Sequence, residues 1–480
     1  MLRSIFPILA LLFLIPGIAR TQASQVFKGD WEGVINISGT SLRIVFHVKD
    51  NGQGGLVSTA DSPDQSAFGI PCDSTSVNNQ EILISMNALQ ASFSGKLVND
   101  TTIDGEFRQG PAGFPVQLKK STVTTEKPVA RERPQNPKAP FPYRSEDVFY
   151  DSKIAGVKLA ATITIPEGKG PFPSILLISG SGPQNRDEEL LGHKPFAVLA
   201  DYLTRKGYIV LRVDDRGIGK STGDFATATS ADFASDANGG IDYLLTRPEV
   251  NKKKVGIMGH SEGGMIAPMI AASRKDIDFI VMMAGPGVKI IDMMAAQNAA
   301  VLRSAGISDA ASTAYTDFYR EVVKTILSSP DTAAAIESGR KVLQNWVSKT
   351  PDSLVAQLGI SHANVQEQMI SSMVQQISTP WFRYFFNYDP QPNLQKLRCK
   401  VLAINGNRDV QVVSQQNLSG IEQAFKKSKL KTYEIKEIPG LNHLFQTCNK
   451  CTLQEYEELE ETFSPVALDV IGNWLDKNIK

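Results

Sequence analysis

Hydrophobic positions alternate in a strand-like pattern over the N-terminal part of the chain. Between Val26 and Leu118, β-branched and aromatic runs are separated by turns rich in Gly, Asn and Asp, and five runs have the length of strands: residues 34–37, 42–48, 82–86, 91–97 and 102–107. Within one run, Ile44 and Phe46 occupy alternate positions and share a strand face, whereas His47 lies on the opposite, solvent-facing side. The pattern predicts a small all-β domain at residues 24–120.

The periodicity ends before a proline-rich segment. Five prolines stand among Lys, Arg and Glu between Thr122 and Pro142. Prolines keep such a segment semi-extended and remove the donors that a strand or helix needs. We therefore predict a linker at residues 121–145.

After the linker, apolar runs typical of buried strands alternate with segments of helical spacing. The strand-like runs are residues 159–165, 174–178, 208–213, 254–258, 279–283, 401–405 and 433–438, and the helical segments are 196–206, 231–246, 414–427 and 465–477. This alternation predicts an α/β domain at residues 146–480, with a mostly parallel central sheet flanked by helices. Helix formers dominate the long interval after the fifth run, so we predict a helical cap insertion at about residues 286–392.

One predicted strand ends in a Gly-x-Ser-x-Gly motif. Residues 254–258 precede Gly259-His260-Ser261-Glu262-Gly263, and helical spacing resumes after them. A sharp turn between a strand and a helix exposes the central serine, and the two glycines leave room for that turn. Ser261 is therefore the candidate nucleophile. The side chain of His260 leaves the turn in another direction, and we expect it to pack or to line the pocket.

Asp409 and His443 follow the last two predicted strands and are the candidate partners of Ser261. A serine hydroxyl needs a base to remove its proton, and the base needs a carboxylate that orients it. His443 stands directly after residues 433–438, and Asp409 stands in the loop after residues 401–405. An aspartate in such a loop is also typical of a turn or a helix cap. The order Ser261, Asp409, His443 predicts a catalytic triad.

Two backbone N–H groups are expected to bind the oxyanion that forms when the serine attacks. Glu262, at the start of the predicted helix, supplies one of them. The second is expected from the loop Ser179-Gly180-Ser181-Gly182-Pro183. We favour Ser181, with Gly182 as the alternative, and an ordinary glycine-rich turn is the other interpretation of this loop.

These motifs, together with Asp215-Arg216-Gly217, resemble bacterial carboxylesterases of the α/β-hydrolase superfamily that are related to the dienelactone-hydrolase and prolyl-oligopeptidase branches. The stretch at residues 178–187 is the more specific part of the resemblance. The resemblance covers about residues 146–480 and implies acyl transfer through an acyl-enzyme, without a metal or a cofactor, and a cap that selects the substrate. It does not extend to the β domain. Ser179-Gly180-Ser181-Gly182 stands where lipase-like relatives have His-Gly-Gly-Gly.

The net charge indicates which kinds of partner suit the chain, and the N-terminal pattern indicates its cellular compartment. The 50 basic residues balance 50 acidic ones, so no net field favours nucleic acid, and a neutral small-molecule ester suits the chain better. Arg3, the apolar run at residues 5–15 and Thr21-Gln22-Ala23 predict an export signal at residues 1–23. The run is shorter than the roughly 20 residues of a membrane-spanning helix. We expect a periplasmic or secreted protein without stable membrane insertion.

Four cysteines can pair in three ways in an oxidising compartment: Cys72, Cys399, Cys448 and Cys451. The spacing of Cys448 and Cys451 also occurs in zinc sites, but no second pair of this kind exists in the sequence. We therefore favour a local disulfide between these two residues.

The sequence thus predicts a serine carboxylic ester hydrolase, with short-chain acyl esters as the expected substrates. A peptidase with the same triad is one alternative. A non-catalytic protein that binds a ligand through the β domain is another. Aromatic and methionine residues of the cap either line an acyl pocket or pack against one another: Trp346, Met369, Met373, Trp381, Phe382 and Tyr384.

Overall fold

A computed structural model describes residues 25–37, 40–52, 54–63, 67–86, 91–109, 112–121 and 133–480. The chain forms two compact units, Met1–Ala130 and Arg131–Lys480. The predicted export signal at residues 1–23 and residues 122–132 of the predicted linker lie outside the described residues. Among the residues described, no helix has the length and apolar character needed to cross a membrane.

The first unit is a closed antiparallel β-barrel. Its strands are β1 (Gly29–Ile37), β2 (Thr40–Asp50), β3 (Leu56–Ser62), β4 (Ala67–Pro71), β5 (Ser74–Asn78), β6 (Glu81–Met86), β7 (Ala91–Asn99), β8 (Thr102–Gln109) and β9 (Ala112–Ser121). They follow the order β2-β1-β9-β8-β7-β6-β5-β3-β4, and β2 also pairs with β3, which closes the sheet. Ile44, Phe46 and Phe93 fill the interior, as the alternation along β2 predicted. The β-domain prediction is confirmed, although β3, β4, β5 and β9 were not recognised in the sequence.

His47 lies on the face of β2 opposite the core, as predicted, but its side chain is only 17% exposed. Its Nδ1 lies 2.7 Å from Asp30 Oδ1 on β1, and its Nε2 lies 2.8 Å from Asp61 Oδ2 on β3. Desolvation lowers the pKa of His47, but the hydrogen bonds and charges of Asp61 and Asp30 outweigh it, so the net pKa is raised. His47 therefore links three strands of the barrel, which is a structural role and not a catalytic one.

The second unit contains an eight-stranded, mostly parallel sheet. Its strands are β10 (Tyr143–Asp151), β11 (Lys158–Pro166), β12 (Phe172–Ile178), β13 (Ile209–Val213), β14 (Val250–His260), β15 (Phe279–Met283), β16 (Lys400–Gly406) and β17 (Tyr433–Ile438). They follow the order β10-β11-β13-β12-β14-β15-β16-β17. Only the pairings of β10 and β11 are antiparallel. This arrangement confirms the predicted α/β-hydrolase fold, and β10, which the sequence did not reveal, spans the predicted domain boundary.

Helices cover both faces of this sheet. They are α1 (Pro195–Arg205), α2 (Ser230–Thr246), α3 (Glu262–Ala271), α11 (Ser414–Lys426), α12 (Glu455–Glu458) and α13 (Pro465–Asn478). Apolar residues of α2, α3 and α11 pack on one face with Leu176 and Ile257. Those of α1 and α13 pack on the other with Ile175 and Met258. Neighbouring residues of one strand thus point into different cores, which explains why these strands are apolar throughout.

A helical insertion separates β15 from β16. It comprises α4 (Ile290–Ser304), α5 (Asp309–Ser328), α6 (Thr332–Lys349), α7 (Asp352–Gln357), α8 (Ala363–Ile377), α9 (Pro380–Asn387) and α10 (Gln391–Leu394). These helices have a core of their own, which includes Phe318, Leu343 and Ile370 and reaches Met265 of α3. Trp346 is partly buried and packs against this core, with its ring centroid 5.2 Å from that of Phe318. The predicted helical cap is confirmed.

Candidate active site

Ser261 occupies the sharp turn between β14 and α3. Its backbone has φ 52° and ψ −113°, a left-handed region that non-glycine residues rarely adopt. The Ser261 N–H donates to the carbonyl oxygen of Met283 at 2.9 Å, which holds the turn. A Cβ on Gly259 would lie 2.0 Å from the carbonyl oxygen of Gly263, and one on Gly263 would lie 2.1 Å from that of Ile178. The two glycines of the motif are therefore required by close backbone contacts.

Asp409 and His443 are in direct contact. His443 Nδ1 lies 2.7 Å from Asp409 Oδ2, and both side chains are buried. The other oxygen, Asp409 Oδ1, accepts the N–H groups of Gln411 at 2.7 Å and Val412 at 2.9 Å. Asp409 thus forms a turn and orients the histidine at the same time. Because Nδ1 donates to the carboxylate, Nε2 of His443 is left as a proton acceptor.

The predicted nucleophile and base follow parallel strands at the same edge of the sheet. His260, the residue before Ser261, lies next to His443, with ring centroids 4.8 Å apart. Within residues 133–480, no hydrogen bond joins Ser261 Oγ to His443 Nε2. In unliganded hydrolases this contact is often long and shortens when the substrate binds. The structure therefore brings the acid and the base into contact, and it places the base beside the turn that contains the serine.

The loop predicted to bind the oxyanion lies against Ser261. A Cβ on Gly180 would be 3.3 Å from Ser261 Cβ. The Gly180 N–H itself donates to Glu188 Oε1 at 2.6 Å and is not available to a substrate. Within residues 133–480, the N–H groups of Ser181 and Gly182 have no protein acceptor. Both remain candidates for the second donor, as the sequence predicted.

The side chain of Asp215 lies beside this loop, in a contact that the sequence did not predict. Asp215 accepts from Ser179 Oγ at 3.2 Å and from the Gln184 N–H at 2.9 Å, so it anchors both ends of the loop. Burial raises the pKa of Asp215 to about 8, against the opposing effect of these hydrogen bonds. Arg216, the next residue, forms an ion pair with Asp236 of α2 at 2.7 Å.

The side chain of Glu262 links the cap to the nucleophile turn. Its Oε1 accepts from Ser230 Oγ at 2.5 Å and from Trp381 Nε1 at 2.9 Å, and Trp381 belongs to α9 of the cap. Burial raises the pKa of Glu262 to about 7, although both hydrogen bonds oppose the shift. The sequence suggested only a backbone role for Glu262, because nothing local to the motif indicates a partner more than 100 residues away.

Replacing Glu262 with Gln should make stability less dependent on pH. In the unfolded chain the carboxyl group ionises near pH 4.5, whereas in the folded protein it keeps its proton up to about pH 7. The folded state therefore binds more protons in this window, and stability falls as pH rises through it. Glutamine keeps an oxygen that accepts both hydrogen bonds. We expect wild type to lose about 2 kcal/mol more than Glu262→Gln between pH 5 and pH 8 in urea unfolding.

A matched control for this measurement is Glu422→Gln, on the exposed surface of α11. Glu422 forms only an i,i+4 ion pair with Lys426, at 2.8 Å. This variant should retain the pH dependence of wild type. Equal pH dependence of wild type and Glu262→Gln would show that Glu262 ionises in the folded protein as it does in the unfolded chain.

The segment after His443 is closed by a disulfide between Cys448 and Cys451, as predicted. The Cys448 N–H donates to the carbonyl oxygen of Gly440 at 3.1 Å, and Glu455 accepts the N–H of Cys451 at 2.6 Å. These contacts stabilise the loop that contains His443, the candidate base, on both sides. Cys72 and Cys399 are free thiols, and burial raises the pKa of Cys72 to about 11 and that of Cys399 to about 12.

Comparison with known proteins finds a described family that matches most of the second unit. Residues 155–431 match the X-Pro dipeptidyl-peptidase family (S15), a segment that includes Ser261 and Asp409 and ends before His443. Esterase EstD of Thermotoga maritima is 34% identical over 152 residues, which are 32% of this chain and 36% of EstD. Acyl-coenzyme A thioesterase 3 of Mus musculus is 31% identical over 130 residues, which are 27% of this chain and 26% of the thioesterase.

The matched segments thus span only about a third of EstD and a quarter of the thioesterase. Among solved structures, an esterase of Pyrococcus furiosus superposes with a TM-score of 0.40 at 16% identity. That superposition covers 70% of this chain and 92% of the Pyrococcus protein.

Proposed function

The chain belongs to the X-Pro dipeptidyl-peptidase family (S15), and from this membership and the geometry of the site we propose that it is a serine hydrolase of carboxylic esters. Ser261 is the nucleophile, His443 the base and Asp409 the residue that orients the base. The observation that supports this most directly is the 2.7 Å hydrogen bond between the buried Asp409 and His443 side chains, beside the strained turn of Ser261. The similarity to EstD supports an ester as the substrate.

The proposed reaction proceeds in two acyl-transfer steps. His443 Nε2 removes the proton of Ser261 Oγ, and Oγ attacks the ester carbonyl carbon. The N–H of Glu262 and that of Ser181 or Gly182 bind the negatively charged oxygen. The tetrahedral intermediate expels the alcohol, which receives the proton from His443. Water, deprotonated by the same nitrogen, then attacks the acyl-enzyme and releases the acid.

We propose short-chain acyl groups as the preferred substrates. Trp381 of the cap is fixed to Glu262, the residue that follows the nucleophile, so the bulky indole lies close to the turn. We expect turnover of p-nitrophenyl esters by the mature protein to fall as the acyl chain lengthens from acetate. Turnover that rises with acyl length would contradict a short acyl pocket without contradicting the esterase proposal.

A peptidase is the second candidate, since the family has the name of a peptidase, X-Pro dipeptidyl-peptidase. The two functions are separated by matched substrates that share an acyl group and differ in an ester or an anilide bond. We expect ester turnover and no measurable cleavage of an X-Pro p-nitroanilide. Cleavage of the anilide at a rate comparable with the ester would identify a peptidase. Failure of a fluorophosphonate probe to label Ser261 would favour a binding protein.

We also propose that the protein is exported. The proposal rests on the N-terminal pattern of residues 1–23 and is supported by the Cys448–Cys451 disulfide, which suits an oxidising compartment. Mass spectrometry of the protein from its native host should find a chain that begins near Ser24. A chain that still contains residues 1–23 would contradict cleavage.

A further inference from the structure

His260 is enclosed between two hydrogen-bond acceptors. Its Nδ1 lies 2.9 Å from Glu188 Oε1, and its Nε2 lies 2.9 Å from the backbone carbonyl oxygen of His443. The side chains of His260 and Glu188 are each about 7% exposed. Glu188 has a left-handed backbone, with φ 50°, which a non-glycine residue adopts only where the surroundings hold it.

The positions of the hydrogens on His260 and Glu188 follow from their hydrogen-bond partners. A backbone carbonyl oxygen only accepts, so Nε2 of His260 has a hydrogen. Glu188 Oε1 also accepts the Gly180 N–H at 2.6 Å, so this oxygen faces a second donor. An imidazole is also more basic than a carboxylate, so the shared proton resides on Nδ1. A histidine with hydrogens on both nitrogens is an imidazolium cation.

We propose that Glu188 and a protonated His260 form a second carboxylate–imidazole pair, which positions the base loop and the oxyanion loop and places a fixed positive charge beside His443. This inference deepens the esterase function proposed above, and its catalytic consequences depend on that function. Glu188 fixes the oxyanion loop through the Gly180 N–H, and His260 fixes the base loop through the His443 carbonyl. Both are positioning residues, since neither is placed to react with the substrate.

The charge of His260 lies beside the ring of His443, the proposed base. The two rings are 4.8 Å apart, and a cation at this distance disfavours a second one. Glu188 and Asp409 are the acidic groups that act on His260, and Phe445 contacts its ring without a charge. Burial alone lowers the pKa of His260, but Glu188, the His443 carbonyl and Asp409 outweigh burial and raise it.

The protonation state can be measured without any activity. The chain has five histidines, so nitrogen-15 NMR of a histidine-labelled full-length protein is tractable, and His260→Gln assigns the signal. We expect both nitrogens of His260 to stay protonated in wild type above pH 6.5, the ordinary pKa of an imidazole. The charge should be lost in Glu188→Gln, which keeps an oxygen for the Gly180 N–H. A His260 with a single N–H in wild type would overturn the proposal.

The catalytic consequence is tested by the pH profile of His260→Gln. Removing the cation leaves the Glu188 carboxylate near the base, so the charge beside the base changes sign. We expect the acid limb of kcat/KM to move up by about one pH unit, with kcat lowered more than KM is raised. If activity falls but the acid limb does not move, the charge of His260 has no effect on the base, and His260 has only a packing role.

His193→Gln is the matched control, a buried histidine of the same unit. His193 Nδ1 lies 2.9 Å from Thr462 Oγ1, and burial lowers the pKa of His193 to about 4, so it contributes no positive charge at neutral pH. This variant should keep the acid limb of wild type. Absence of Ser261-dependent turnover in wild type would refute the esterase function and leave the NMR result on His260 unaffected.

Discussion

Replacing Ser261 with Ala should lower kcat for p-nitrophenyl acetate by about 10⁶-fold, which is the scale seen when the nucleophile of a serine hydrolase is removed. No other described group takes the place of Oγ at the turn, so acyl-enzyme formation ends with it. The fold should be unaffected. The Ser261 backbone N–H, and not the hydroxyl, forms the hydrogen bond to Met283, and alanine retains it.

The control for this variant is Ser273→Ala. Ser273 Oγ donates to the carbonyl oxygen of Ile270, just after α3, and does not reach the site. Both variants should unfold in urea within about 0.5 kcal/mol of wild type, and only Ser261→Ala should lose turnover and phosphonate labelling. Retained turnover in purified Ser261→Ala would show that the nucleophile is another residue.

Replacing Asp409 with Asn should lower kcat by about 10⁴-fold while the loop keeps its shape. The amide oxygen can take the position of Oδ1 and accept the N–H groups of Gln411 and Val412. The amide nitrogen then replaces Oδ2 and donates to Nδ1 of His443. This forces the hydrogen of the ring onto Nε2, which can no longer remove a proton from Ser261.

Asp236→Asn separates this effect from the loss of any buried carboxylate. Asp236 is about as buried as Asp409 but binds Arg216 through two hydrogen bonds, at 2.7 and 2.8 Å. Within residues 133–480 it forms no hydrogen bond with Ser261 or His443. We expect this variant to lose stability in urea unfolding and to keep kcat within a few-fold. If both variants lost kcat equally, the effect of Asp409→Asn would reflect structural damage and not the wrong histidine tautomer.

The sequence revealed those turns, strands and helices that depend on residues close together in the chain. The Gly-x-Ser-x-Gly turn is readable because Gly259 and Gly263 meet backbone atoms closer than any side chain would allow. Strands buried on both faces are continuous apolar runs, and the helices beside them have a helical hydrophobic period. Strands such as β5 and β10 escaped notice, since most of their residues are exposed and their hydrophobic pattern is weak.

The sequence by itself determined the all-β and α/β parts of the fold, the cap and the residues of the candidate triad, because the parallel strands β14, β16 and β17 end at one edge of the sheet and Ser261, Asp409 and His443 follow those ends. Only the tertiary structure decided how that site is supported. Glu188 meets His260, and Glu262 meets Trp381, across 72 and 119 residues. Each of these pairs provides a hydrogen-bond partner for a buried polar group. A single hydrogen bond between residues distant in the chain produces no periodicity or motif in the sequence.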